Sequence, residues 1–119
     1  ITPGQIFEME CAVEKMLKNK LEPRVADEAD MEFHAIMLKA SGNSLLNSFS
    51  MVISQLFHKV DYRRKYWNTE TIERLALEHR SILHAIQDGD TELTIRRLKD
   101  HLHYTQKIEM EIARKLRTR

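Results

Sequence analysis

From Ile6 to Ile112 the apolar residues of this chain return every three or four positions, and no segment alternates like a half-buried strand. That period places them on one stripe of a helix, and each stripe has to be covered by another helix. Thr2-Pro3-Gly4-Gln5 opens a first helix as a capping box, and Ile6, Met9, Val13, Met16 and Leu17 carry it to about Lys20, with Pro23 as its stop. A second helix is expected over about Val25 to Ala40, with Asp30, Phe33, His34, Met37 and Leu38 inward and Ser41-Gly42-Asn43 closing it. A third starts near Ser44, carries Leu45 to Val60 and continues toward Trp67. Asn68-Thr69 caps a fourth, whose stripe is Ile72, Leu75, His79, Ile82 and Ile86. Asp88-Gly89-Asp90 breaks the chain, and Asp90 caps a last helix marked by Leu93, Leu98, His101, Leu102, Ile108 and Ile112. The expected fold is all-α, an antiparallel bundle of about five to six helices.

At 119 residues the chain suits one domain, taken as 1–119, with 42% hydrophobic residues to fill a core and only 3 Gly and 2 Pro to interrupt helices. The net charge of +1 supplies no concentrated positive face for a nucleic-acid backbone. The two basic runs, Arg63-Arg64-Lys65 and Arg114 to Arg119, read as solvated helix ends. The single cysteine, Cys11, cannot form an internal disulfide and is expected as a buried, inert thiol. No signal peptide and no apolar run of about 20 residues is visible, so the cytoplasm is expected and the membrane is not. The chain starts with Ile rather than Met and is read as a piece of something longer.

Polar residues inside the apolar stripes carry the functional signal. Asp30 and His34 lie one helical turn apart and leave their helix on the same face. His79 falls in angle with Leu75, Ile82 and Ile86, and His101 follows Leu98 on the inner stripe. His58, His84 and His103 fit less well and belong at the margin or in solvent. A lone inward histidine is usually hydrogen-bonded to a neighbour. Three of them plus a carboxylate would each add a desolvation cost of about 1–3 kcal/mol if unpaired, and one metal ion satisfies all four together. Nitrogen donors with one carboxylate suit Zn²⁺ foremost, with Ni²⁺, Mn²⁺ or Fe²⁺ as alternatives, and exclude Ca²⁺. Four protein ligands can close a tetrahedron, or leave two octahedral positions for water or a small carboxylate.

Asp30-Met31-Glu32-Phe33-His34, Ala40-Ser41-Gly42-Asn43, Glu78-His79-Arg80-Ser81-Ile82-Leu83 with Ala85-Ile86, Gly89-Asp90 and His101-Leu102 occur here in an order that resembles the FCD domain. This is the ligand-binding C-terminal half of FadR-type bacterial transcription regulators of the GntR family. The resemblance covers nearly the whole chain. It implies an antiparallel bundle around a metal held by one Asp and three His, at positions matched here by Asp30, His34, His79 and His101. It further implies a small carboxylate or sugar-acid effector, a homodimer, and DNA contact only through an N-terminal winged helix-turn-helix. Nothing before Asp30 is long enough for that winged helix. The earliest FCD helix, which in relatives can supply arginines to the effector, is also expected to be missing. Arg63 and Arg64 are read as a solvated turn in its place, and effector contacts stay unassigned.

The function expected from the sequence is an effector-sensing regulator domain, not an enzyme. The rival reading is a helical-bundle metalloenzyme using the same set of three histidines and one aspartate. Glu32 and Glu78 neighbour the set in sequence but are expected to point elsewhere, so no second acid or base stands ready. A di-iron bundle is not expected, because it needs paired Glu-x-x-His motifs and no such pair occurs in the sequence.

Overall fold

The computed structural model describes residues 1–41 and 67–117. Among them are four helices: α1 (Pro3–Lys18), α2 (Pro23–Ser41), α3 (Thr69–Gln87) and α4 (Thr91–Arg117). All described secondary structure is helical, in agreement with the all-α expectation. Four helices is fewer than five to six. The helix expected from Ser44 lies outside the described residues, as do Arg63, Arg64 and His58. Trp67, expected within that helix, precedes the α3 cap in non-helical backbone and is buried in the core.

Local chemistry sets the boundaries. At α1 the Thr2 hydroxyl accepts from the Gln5 N–H and the Gln5 side chain accepts from the Thr2 N–H, which is the reciprocal capping box. The helix stops at Lys18, two residues short of the expected end, where the Asn19 side chain turns back to donate to the Lys15 carbonyl at 2.7 Å. Pro23, expected as its terminator, instead opens α2. A missing N–H costs nothing in a first turn, and the Glu22 carbonyl accepts from Ala26 just ahead of it. Asn68 and Asp90 cap α3 and α4 as expected, their side chains accepting from the N–H groups of Thr71 and Leu93.

α1 packs against both α2 and α3, and α3 packs against α4. Pairings across the helices give their directions. Ser81 meets Arg97, Glu78 meets His101, and Arg74 meets Tyr104, so α4 climbs as α3 descends. Glu14 with Arg80 and Lys20 with Glu73 set α1 against α3 in the same antiparallel sense. The core holds Met9, Val13 and Met16 from α1, Phe33 from α2, Ile72, Leu75, Ile82 and Leu83 from α3 and Leu98 from α4. Each such side chain contributes about 1.5–3 kcal/mol on full burial. Cys11 departs from its expected burial and is exposed. It lies about 200° around the helix from Met9, away from the stripe of Met9, Ala12, Val13 and Met16.

Gly89 takes φ 72 in the turn between α3 and α4, where its N–H donates to Ile86 and the next N–H donates to Ala85. Gly89→Ala should destabilise the domain by about 1–2 kcal/mol, because a Cβ is strained in that left-handed conformation. Gly4→Ala, inside α1 with only an ordinary contact to Thr2, should be neutral or stabilising by up to about 1 kcal/mol. Urea denaturation of the two variants measures both; equal effects would contradict the turn geometry.

Candidate metal centre

Three helices deliver four polar side chains to one point. The α2 stripe that buries Ala26, Ala29, Phe33 and Met37 also carries Asp30 and His34, one turn apart. α3 adds His79 between Leu75 and Ile82, and α4 adds His101 beyond Leu98. All four are at most 3% exposed, and one ligand atom from each lies within 4.8 Å of every other. The structure thus brings together every residue that the sequence nominates for this site. His84 and His103 are exposed, as expected.

Asp30 Oδ1 stands 2.9 Å from His79 Nε2 and 3.3 Å from His34 Nε2, and His79 Nε2 stands 3.2 Å from His101 Nε2. Bonds of about 2.0–2.1 Å to one ion put adjacent donors about 3.0–3.4 Å apart, so these spacings fit a shared cation. The donor set also fits, since neutral imidazoles and one carboxylate are what a borderline transition metal takes. The group can hold a metal ion.

Packing and charge orient the rings. Phe33 lies flat on His79, with centroids 4.3 Å apart and planes 5° from parallel. It meets His34 edge-on at 5.7 Å. His101 is held differently, because its Nδ1 lies 2.7 Å from Glu78 Oε1. The expectation that Glu78 points elsewhere is corrected by this contact. It faces α4 because residues equidistant from the turn at Gly89 lie level on the hairpin: Glu78 stands eleven residues before the turn and His101 twelve after it. That register was the available signal. Glu32 does point away, forming an ion pair with Lys15 at 3.1 Å.

Burial works most strongly on Asp30 by opposing its charge. The His34 charge and the hydrogen bonds from His34 and His79 override it and hold the carboxyl well below its ordinary value. Burial dominates at His79 and pushes it down to about 3 against the pull of Asp30, leaving a neutral imidazole at pH 7. An ionised carboxylate beside neutral imidazole is the protonation state a metal requires.

The sequence matches the family model of the FCD domain over residues 1–104. The chain belongs to the FCD domain family. This FCD chain is also similar to the galactonate operon transcriptional repressor of Escherichia coli (strain K12), with 29% identity over 91 residues. The match covers 75% of this chain and 40% of that protein, so the chain spans less than half the length of its relative. No solved structure is significantly similar to it. No helix among the described residues is long and apolar enough to cross a membrane.

The metal-free domain should lose stability as pH falls. His79 takes up its proton near 6.5 when unfolded but only near 3 when folded, so the unfolded chain binds more protons between those values. Asp30, depressed in the fold, adds a loss of the same sign at the acid end. Urea unfolding from pH 7 to pH 3 with a chelator present checks this; a flat profile would contradict a buried neutral His79.

Proposed function

We propose that this FCD domain is the effector-sensing part of a transcription regulator, and that Asp30, His34, His79 and His101 hold one divalent transition-metal ion, Zn²⁺ foremost. The observation that carries this reading is the meeting of three Nε2 atoms and one carboxylate oxygen, all buried, in a domain related to an operon repressor. When bound, the ion supplies a Lewis-acidic anchor for the carboxylate of a small organic acid. The chain's own residues do the rest: they exclude bulk water, keep Asp30 ionised and keep His79 neutral. Sugar acids are the first class to test, since the relative's operon is named for galactonate.

A sensing role fits better than a catalytic one. Glu32 is taken up by Lys15, and Glu78 is engaged by His101 and Arg74, so neither of these two carboxylates stands ready as an acid or base. A ligand that prefers one arrangement of the bundle shifts the population toward it, and that difference in affinity is all that can drive a switch. DNA is then contacted by a separate domain of the whole protein, consistent with the near-neutral charge here. The domain is proposed to work as a homodimer in the cytoplasm.

Calorimetry of the Zn²⁺-loaded chain with galactonate, other sugar acids and dicarboxylates tests the anchor. Binding of at least one acid is expected, and chelation should abolish it. If no acid binds, or if chelation leaves the affinity unchanged, the anchoring role is wrong. His34→Ala separates anchor from structural metal: an anchor loses both metal affinity and ligand response, whereas a structural ion lowers Tm and leaves any ligand response intact.

A further inference from the structure

We propose that Glu78 is a positioning residue of the metal centre, fixing the tautomer and aim of His101; this rests on the metal-binding reading above. An ionised carboxylate only accepts hydrogen bonds, so the 2.7 Å contact requires His101 to carry its hydrogen on Nδ1 and donate it to Glu78 Oε1. The lone pair of the neutral ring is then on Nε2, the atom that faces His79 at 3.2 Å inside the cluster. The opposite tautomer would place an N–H where a cation has to sit.

Glu78 is itself held. Its other oxygen, Oε2, accepts from Arg74 Nε at 3.3 Å, one turn back on α3. The Arg74 guanidinium lies over the Tyr104 ring, 3.6 Å from its centroid, in cation–π contact. Tyr104 sits three residues beyond His101 on α4, so the contacts close a loop: His101 to Glu78, to Arg74, to Tyr104 and back along α4. Every member but Arg74 is at least partly buried. The cluster's α3 histidine, His79, has no such partner. His79 Nδ1 makes no hydrogen bond among the described residues, and stacking on Phe33 orients that ring instead. One imidazole is thus aimed by packing and another by a carboxylate. A carboxylate behind a ligating imidazole also raises its basicity, and losing such a partner costs about 10–100-fold in metal affinity.

The test is Zn²⁺ affinity of the full chain by competition with a chromophoric chelator, together with long-range ¹H–¹⁵N spectra of the His101 ring. Wild type should show an Nδ1–H, Nε2-metallated His101. Glu78→Ala should weaken Zn²⁺ by about 10–100-fold and lose the protected Nδ1–H signal. Glu78→Gln can still accept that hydrogen but lacks the charge, so a smaller loss with the tautomer kept is expected; it also decides the matter if the alanine variant does not fold. Glu32→Ala, which touches none of the four, should bind as wild type. Glu78→Ala within twofold of wild type, or a wild-type His101 lacking the Nδ1 proton, overturns the assignment and leaves the metal reading standing. A wild-type chain that binds no Zn²⁺, Co²⁺, Ni²⁺ or Mn²⁺ overturns both.

Discussion

Four polar side chains meet inside an apolar helical core, and the cost of taking them out of water governs how the rest of the domain must be built. Asp30 alone would be driven to protonate there, and it stays ionised only because His34 and His79 stand beside it. His79 alone would simply stay neutral, as it does. The arrangement is tolerable because the helices present these groups at the same depth, where Asp30 Oδ1 and the histidine Nε2 atoms meet. A shift of one helix by a single turn would move its polar group about 5.4 Å along the axis and strand it among leucines.

Two devices hold that alignment. The short turn through Gly89 locks the register of α3 against α4, which puts both Glu78 and His79 level with His101. α1 contributes nothing to the cluster but braces its scaffold. It lies against α2 and α3 through Met9, Val13 and Met16, and ties them at its rim through Lys15 to Glu32 and Glu14 to Arg80.

This division of labour suits the proposed sensing role. A centre assembled from three separate helices is sensitive to small displacements of any of them, so a ligand that rearranged its donors would be felt along α2, α3 and α4 together. The proposed Glu78–Arg74–Tyr104 loop extends that sensitivity to the outside of the α3–α4 hairpin, where Arg74 is solvent-exposed. A catalytic site would instead want a proton-transfer group beside the donors, and among the described residues Glu78, which touches the set, is already bonded to His101 and Arg74.

Much of this was legible in the residues. The helical period gave the stripes, the caps at Thr2, Asn68 and Asp90 gave three helix starts, and the same stripes selected Asp30, His34, His79 and His101. Such features are local: they depend on what lies within a turn or two along one helix. Pro23 misled because a proline reads equally as the end of one helix and the start of the next, and only hydrogen bonds distinguish them. Cys11 misled because apolar neighbours in sequence need not be neighbours around a helix. Glu78 was missed for a deeper reason. One residue from His79 it points about 100° away, so its own helix offers no sign that it serves the site. Its role exists only once α4 lies alongside, because contacts between helices depend on register and rotation, which the chain settles by packing rather than by local pattern.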